Sequence, residues 1–200
     1  MSSRFIELTE LARANAPEFA DVPRQECVEA AREYVRTQWG LIRKRHEGDC
    51  GNGNEAHRSA ASGRSTIAQL TQTADTVVTG AAEFGLYQTA NRRNLLNRIA
   101  LCALGGYGRG ELNPNSDLDI CLLYDARLEP DVKTLNTFLL PFLWDAGFKA
   151  GYAIYSVNEA IELAAEDPQM FTTYAQARRL LGDSTTYARL KLRLAELRTA

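Results

Sequence analysis

The segment 103–125 constrains this chain more than any other, because it joins a glycine cluster to two aspartates that stand one residue apart. It reads ALGGYGRGELNPNSDLDICLLYD. An apolar run leads into the glycines and a second apolar run begins at Leu118, which predicts a strand, a turn and a second strand. Side chains at i and i+2 lie on one face of a strand, so Asp117 and Asp119 are predicted to project together beside the turn.

Two carboxylates beside a glycine-rich turn provide what a magnesium-bound triphosphate needs. Mg²⁺ is commonly held by one or two carboxylates together with phosphate oxygens and water. Gly105 and Gly106 let the backbone approach phosphates closely, and the amides of such a turn can face an anion. Arg109 can add a charge-assisted contact to phosphate, and the Ser116 hydroxyl can bond a phosphate oxygen or cap the turn. The segment therefore predicts a nucleotide-binding site, with the two aspartates as metal ligands and catalytic residues.

Each half of this pattern also has an ordinary structural explanation. Gly-Gly-x-Gly-x-Gly fits a simple hairpin turn, and Asp-x-Asp at the start of a strand often consists of solvated side chains. The combination of both halves, in one segment and running into an apolar strand, favours nucleotide chemistry over either explanation.

Composition and charge narrow the class of protein. The 200 residues suit one domain, or one domain with a helical extension. A net charge of −2 argues against nucleic-acid binding, which usually requires a basic excess. The sequence has no apolar run of about 18 residues and no apolar signal segment at its N-terminus, so neither a membrane span nor export is expected. The four cysteines have no Cys-x-x-Cys spacing, and a reducing cytoplasm is the expected location.

The remaining pattern predicts an α+β protein with a small mixed sheet flanked by helices. Helices are expected at 24–45, 65–79, 91–97 and 130–144, after the caps Ser156 and Asn158, from Asp167 to near Gly182, and at 185–198. Strands are expected at 99–104, 118–124 and 148–157. A polar loop is expected at about 47–63, and Gly80 and Gly85 are expected to interrupt or bend the helical region. The predicted domains are a helical N-terminal region, 1–94, and a core with C-terminal helices, 95–200.

The same segment resembles the signature of the protein-PII uridylyltransferases, the bifunctional nitrogen sensors of bacteria, and of related nucleotidyltransferase domains of the DUF294 type. The matching residues are 105–112, Pro114, 116–119, 143–145, 177–178 and 181–183. The resemblance covers about residues 95–185 and implies the polymerase-β-like nucleotidyltransferase fold. It also implies transfer of UMP from UTP to a tyrosine hydroxyl of a PII-type protein, with Mg²⁺ as cofactor and pyrophosphate as the second product.

The chain departs from that family at several positions. Lys149 stands where the family carries a glutamate that is a candidate third carboxylate, and Tyr155 and Gln176 replace an arginine and a glutamate. Lys149 could pair with one of the aspartates and occupy the metal position, and Asp145 could serve as a replacement acid. These departures leave two alternatives open: a nucleotide-binding regulatory module that has lost the transfer chemistry, or a transferase with a different nucleotide or acceptor.

The family's hydrolase domain and glutamine-sensing domains do not follow residue 200. The chain is therefore expected to be a fragment or a free-standing relative of the bifunctional enzymes.

Overall fold

The computed structural model describes residues 3–50, 55–125 and 129–199, and places an N-terminal group of helices before a small sheet. The N-terminal helices are α1 (Arg4–Arg13), α2 (Arg24–Cys50), α3 (Glu55–Tyr87) and α4 (Arg92–Leu96), with a 3₁₀ turn at Pro17–Phe19. The core that follows consists of β1 (Ile99–Ala103), α5 (Gly105–Gly108), β2 (Leu118–Tyr124), α6 (Glu129–Asp145), β3 (Ala150–Ser156), α7 (Val157–Glu166), α8 (Pro168–Ala175), β4 (Arg178–Gly182) and α9 (Ser184–Thr199). The expected α+β class is confirmed.

The four strands form one sheet in the order β3-β2-β1-β4. β1 is antiparallel to both β2 and β4, whereas β2 and β3 are parallel. On β2, Leu118 and Ile120 face a core shared with α1, α2, α3 and α6, and Cys121 and Leu123 face a second core with α7, α8 and α9. Asp119 shares the face of Cys121 by the period-two rule, so it lies at the end of the face that α7 to α9 cover.

Helix α3 runs without a break through both glycines that were expected to bend it. A Cβ atom on Gly80 would lie 2.5 Å from the Phe5 ring, and one on Gly85 would lie 2.7 Å from a methyl group of Leu135. The two glycines therefore allow α1 and α6 to pack closely against α3, which is a tertiary role that the local sequence does not reveal.

The predicted polar loop at 47–63 is wrong wherever the structure describes it. Helix α2 continues to Cys50 and α3 begins at Glu55, so the helix expected at 65–79 is the middle of a longer helix. Residues 51–54 lie outside the described residues. The alanines of this stretch are strong helix formers, and the prediction gave more weight to its glycines and asparagines.

The predicted helix from Asp167 to about Gly182 is also wrong in its second half, because α8 ends at Ala175 and β4 follows. β4 covers the free edge of β1, with a register shift between Leu101 and Cys102. Pairing with an otherwise exposed strand edge overrides the local helical pattern.

The other predicted elements of the core are confirmed. The second strand has the expected bounds, and the first and third strands differ by a few residues at their ends. Ser156 caps α7 in a capping box with Glu159, whereas Asn158, the other expected cap, lies inside the helix. Helix α1 was not predicted, although its Ser3 cap and the buried Phe5, Leu8 and Ala12 follow helical spacing. Within the described ranges, no helix is long and apolar enough to cross a membrane.

Candidate active site

The aspartate pair lies where β2 begins, with Asp119 in the strand and Asp117 just before it. Both residues are exposed, although the carboxyl group of Asp119 is partly buried. The pKa of Asp119 is raised, first because this partial burial disfavours the charged form and second because Asp117 adds a like charge. The electrostatic interaction between the two carboxyl groups agrees with the prediction that they project together.

The carboxylate of Asp119 is enclosed by glycines on two sides. A Cβ atom on Gly105 would lie 3.2 Å from Oδ2, and one on Gly151 would lie 3.1 Å from Oδ1. Asp119 pairs with Gly151 across the β2–β3 ladder, and its carbonyl oxygen accepts a hydrogen bond from the Leu104 amide at 2.8 Å. Gly151 was missed from the sequence, because only the strand register reveals that it lies beside the carboxylate.

The glycine turn is seated tightly on the end of the sheet. Gly105 has a φ of +56°, a conformation that favours glycine. A Cβ atom on Gly108 would lie 2.8 Å from the Ala103 carbonyl oxygen and 3.0 Å from that of Gln176, so only glycine fits there without a backbone shift. Within the described residues, the amides of Gly105, Gly106 and Tyr107 donate no hydrogen bond, whereas the following amides do. These three amides are free to face an anion.

The Arg109 side chain is held in place at the exit of the turn. Its Nε donates to Glu111 at 2.7 Å and its Nη1 donates to the Gln176 side chain at 2.9 Å. A Cβ atom on Gly106 would lie 3.7 Å from Arg109 Nη2, so the guanidinium borders the open side of the turn. Gln176, one of the departures from the family, therefore helps to orient the Arg109 guanidinium, the predicted phosphate contact. Because Gln176 is neutral, it does so without adding a negative charge.

Ser116 lies in the segment between the glycine turn and β2. Among the described residues, no hydrogen bond joins its side chain to that turn. It borders a cavity of about 190 Å³, whose wall also includes Trp39, Phe148 and Lys149. The predicted phosphate contact of Ser116 therefore stays a prediction.

Lys149 lies beside the aspartates without an ion pair to either of them in the described part of the chain. Leu118 pairs with Ala150, and the Leu118 amide donates to the Lys149 carbonyl oxygen at 2.8 Å. Continuing this register by one residue places Lys149 next to Asp117 and on the same face. Its side chain is exposed, so the structure does not show it occupying the metal position.

Asp145 does not join the site. Its carboxylate forms an ion pair with Arg24 at 2.6 Å, and its carbonyl oxygen accepts a hydrogen bond from Arg32. These contacts connect α6 to α2, so the idea that Asp145 replaces the third acid loses its support.

The two carboxylates of the site are the type of ligand that Mg²⁺ prefers, but they supply only part of its coordination shell. Within the described ranges, no group of three or more His, Cys, Asp or Glu side chains could hold a metal ion by itself. Two nearby carboxylates suit a divalent cation whose remaining ligands are phosphate and water oxygens, because the cation removes the like-charge repulsion that, after burial, raises the pKa of Asp119.

Comparison with known proteins identifies the same part of the chain. Residues 87–163 match the family described as the nucleotidyltransferase domain. The bifunctional uridylyltransferase/uridylyl-removing enzyme of Caulobacter vibrioides is 35% identical over 144 residues, which is 71% of this chain and 15% of that protein. The enzyme of the same name from Erythrobacter litoralis is 40% identical over 102 residues, 51% of this chain and 11% of that protein. The matched part of this chain therefore spans a small fraction of the length of these curated relatives.

Proposed function

We propose that this chain, whose residues 87–163 match the nucleotidyltransferase domain, transfers UMP from UTP to a tyrosine hydroxyl of a PII-type nitrogen-regulatory protein, with Mg²⁺ as cofactor. The observation that carries the proposal is the Asp119 carboxylate, which lies between Gly105 and Gly151 with Asp117 beside it, next to a turn with free amides. The choice of UTP is supported by the uridylyltransferase names of the relatives, and the choice of a PII-type acceptor by the signature resemblance.

In this proposal, each residue of the site has a separate task. Asp117 and Asp119 hold the cation, which when bound neutralises the triphosphate and polarises the α-phosphate. The free amides of the glycine turn and the oriented guanidinium of Arg109 bind phosphate oxygens. The acceptor's hydroxyl oxygen bonds to the α-phosphorus as the bond from that phosphorus to the bridging oxygen breaks. Pyrophosphate leaves, and the hydroxyl proton passes to solvent.

A specific observation favours a second candidate, a nucleotide-binding module without transfer activity. The register of β2 and β3, continued by one residue, places Lys149 next to Asp117, and no third carboxylate joins the pair among the described residues. A cation at this place compensates the charge of the aspartates without supplying a ligand for a second metal ion, and two-metal sites use such an ion to activate the nucleophile. A transferase that uses another nucleotide or acceptor has the same site and stays open as well.

Calorimetry with UTP and with ATP, each with and without Mg²⁺, tests the binding step. We expect Mg²⁺-dependent binding that favours UTP, and a loss of at least about 100-fold in the Asp117→Asn/Asp119→Asn variant, because both metal ligands are removed. The absence of Mg²⁺-dependent binding at millimolar nucleotide would reject both candidates.

Incubation with labelled UTP and a PII-type protein tests the transfer step. Label on the acceptor that depends on Mg²⁺ and on both aspartates supports the transferase. The same incubation is repeated with each of the four labelled nucleoside triphosphates and with a cell lysate as the source of acceptors. If the chain binds nucleotide but no label appears on the PII-type protein or on any protein of the lysate, the result supports the non-catalytic module.

A further inference from the structure

The glycine turn receives hydrogen bonds from a helix that lies far from it in the sequence. Thr71 and Asp75 stand four residues apart on α3 and therefore share one face of the helix. Both lie outside residues 87–163, the part that matches the nucleotidyltransferase domain. Thr71 contacts the turn directly, and Asp75 is connected to it through Arg178 of β4.

Thr71 holds the exit of the turn. Its buried hydroxyl lies 2.9 Å from the Ile67 carbonyl oxygen and 3.1 Å from that of Gly110, and can donate to either. The same oxygen accepts a hydrogen bond from the Leu112 amide at 3.3 Å. A helical threonine usually bonds only within its own helix, so the additional contacts to Gly110 and Leu112 connect α3 to the turn.

Asp75 acts on the middle of the turn through Arg178 of β4. Its two carboxylate oxygens accept hydrogen bonds from Arg178 at 2.7 and 3.0 Å, a bidentate arrangement that fixes the guanidinium plane. Arg178 Nη2 also donates to the Tyr107 carbonyl oxygen at 3.2 Å, and the guanidinium carbon lies 5.5 Å from the centre of the Tyr107 ring. Tyr107 is thereby held from both its carbonyl group and its ring.

We infer that Thr71 and Asp75 are positioning residues that fix the glycine turn in the conformation that binds phosphate, an inference that rests on the proposed function. The turn carries free amides on one side, and these can bind an anion without reorganisation only if the backbone is already fixed. Loss of the contacts of Thr71 or of Asp75 lets the turn sample other conformations. The phosphate must then order the turn on binding, so the affinity for the nucleotide falls. The helical N-terminal region is thus a functional part of the nucleotide site.

Calorimetry in Mg²⁺ with UTP and, by competition, with UMP tests this inference. In Thr71→Val and in Asp75→Asn, we expect UTP affinity to fall about tenfold, the lower end of what loss of a supporting contact costs at a metal site. UMP affinity should fall less, because UMP presents fewer phosphate oxygens to the turn. Thr71→Ser keeps the hydroxyl and should restore the wild-type ratio of the two affinities.

Two matched variants on the same helix separate positioning from general stability. Thr76→Val removes a hydroxyl whose only hydrogen bond within the described ranges goes to the Gln72 carbonyl oxygen, at 2.9 Å. Glu83→Gln removes a buried carboxylate that pairs with Arg92 at 2.7 Å and Arg13 at 3.2 Å, away from the turn. Both should leave the ratio of UTP to UMP affinity unchanged, even where Glu83→Gln lowers the melting temperature more than Asp75→Asn does. A similar change of that ratio in the controls, or an equal loss for UTP and UMP in the test variants, would overturn the inference.

Hydrogen exchange of the nucleotide-free protein keeps the inference testable if UTP does not bind at all. The amides of residues 108–112 all donate hydrogen bonds, so their exchange reports the order of the turn. Faster exchange at these amides in Thr71→Val and Asp75→Asn, but not in the two controls, supports the inference that Thr71 and Asp75 fix the turn. Unchanged exchange refutes it, whatever the outcome for the proposed function.

Discussion

The two halves of the candidate site are built in opposite ways. The glycine turn is held by α3 through Thr71, by β4 through Arg178 and by the end of α8 through Gln176. The aspartate corner, in contrast, has no ion pair between Asp117 or Asp119 and any cation in the described part of the chain. The protein itself therefore fixes the half proposed to meet phosphate and leaves the charge of the other half to be compensated by what binds there.

This difference has an energetic cause. A turn that binds an anion through backbone amides must be ordered beforehand, and hydrogen bonds to its carbonyl groups supply that order without covering the amides. Two adjacent carboxylates repel each other, and strong pairing with protein cations would compete with a metal ion for their oxygens. Burial and, to a smaller extent, this repulsion raise the pKa of Asp119, which is the cost of a corner that is ready to take up a cation.

Alanine substitutions at two glycines of the turn should have the largest effects. One should lower mainly the affinity for UTP, and the other mainly the free energy of unfolding. In Gly106→Ala, the new methyl group makes only ordinary contacts at 3.7 Å, so folding should be unaffected while UTP affinity falls about tenfold or more through the blocked approach of phosphate. In Gly108→Ala, the methyl group meets backbone oxygens at 2.8 and 3.0 Å, which should cost about 1–3 kcal/mol of folding free energy. Urea unfolding and calorimetry measure the two quantities.

Gly40→Ala is the control, because a Cβ atom there meets nothing within 4 Å and the residue lies in α2. It should leave UTP affinity unchanged and stabilise the helix by about 0.5–1 kcal/mol. If Gly106→Ala binds UTP with wild-type affinity, phosphate does not approach the side of the turn that Gly106 borders. The claim that the turn is ordered in order to bind phosphate would then be refuted.

Lys149→Glu should shift the aspartate corner from a weak towards a stronger metal site. The substitution removes a cation next to Asp117 and adds a carboxylate on the same face. We expect Mn²⁺ affinity in the absence of nucleotide, measured by electron paramagnetic resonance, to increase several-fold. Lys44→Glu makes the same charge change on the exposed surface of α2 and should have little effect. Equal Mn²⁺ affinities for the two variants would mean that Lys149 does not influence this corner.

The elements that carry the aspartates could be predicted from the sequence, because their signals are local. The apolar residues of β2, which is interrupted only by Asp119, fix the strand from Leu118 to Tyr124, and the period-two rule extended by one residue predicts Asp117 on the face of Asp119. The glycine turn and α6 follow from turn residues and helical spacing in the same way.

The parts that could not be predicted depend on contacts between distant segments. β4 forms because β1 has a free edge, and its leucines alone fit a helix equally well. Gly151 acquires its place from the pairing of β3 with β2, and Thr71 and Asp75 acquire theirs from the packing of α3 against the turn. A sequence pattern shows which residue types are present, but not which of them are brought together across the 39 positions from Thr71 to Gly110 or the 103 positions from Asp75 to Arg178.

The raised pKa of Asp119 predicts the smallest effect and tests the cause assigned to the aspartate corner. Because its pKa in the folded protein lies above that in the unfolded chain, the folded state binds the proton more tightly. This group therefore contributes stability that is present at pH below its unfolded pKa and is lost as the pH rises through its folded pKa.

Carboxyl ¹³C titration by NMR of the nucleotide-free protein should find the Asp119 midpoint above that of an ordinary aspartate. Asp117→Asn should lower this midpoint only in part, because burial, the larger cause, persists while the like charge is removed. A midpoint that does not move in Asp117→Asn would show that the two carboxyl groups do not interact, and a shared cation would then lose its electrostatic basis.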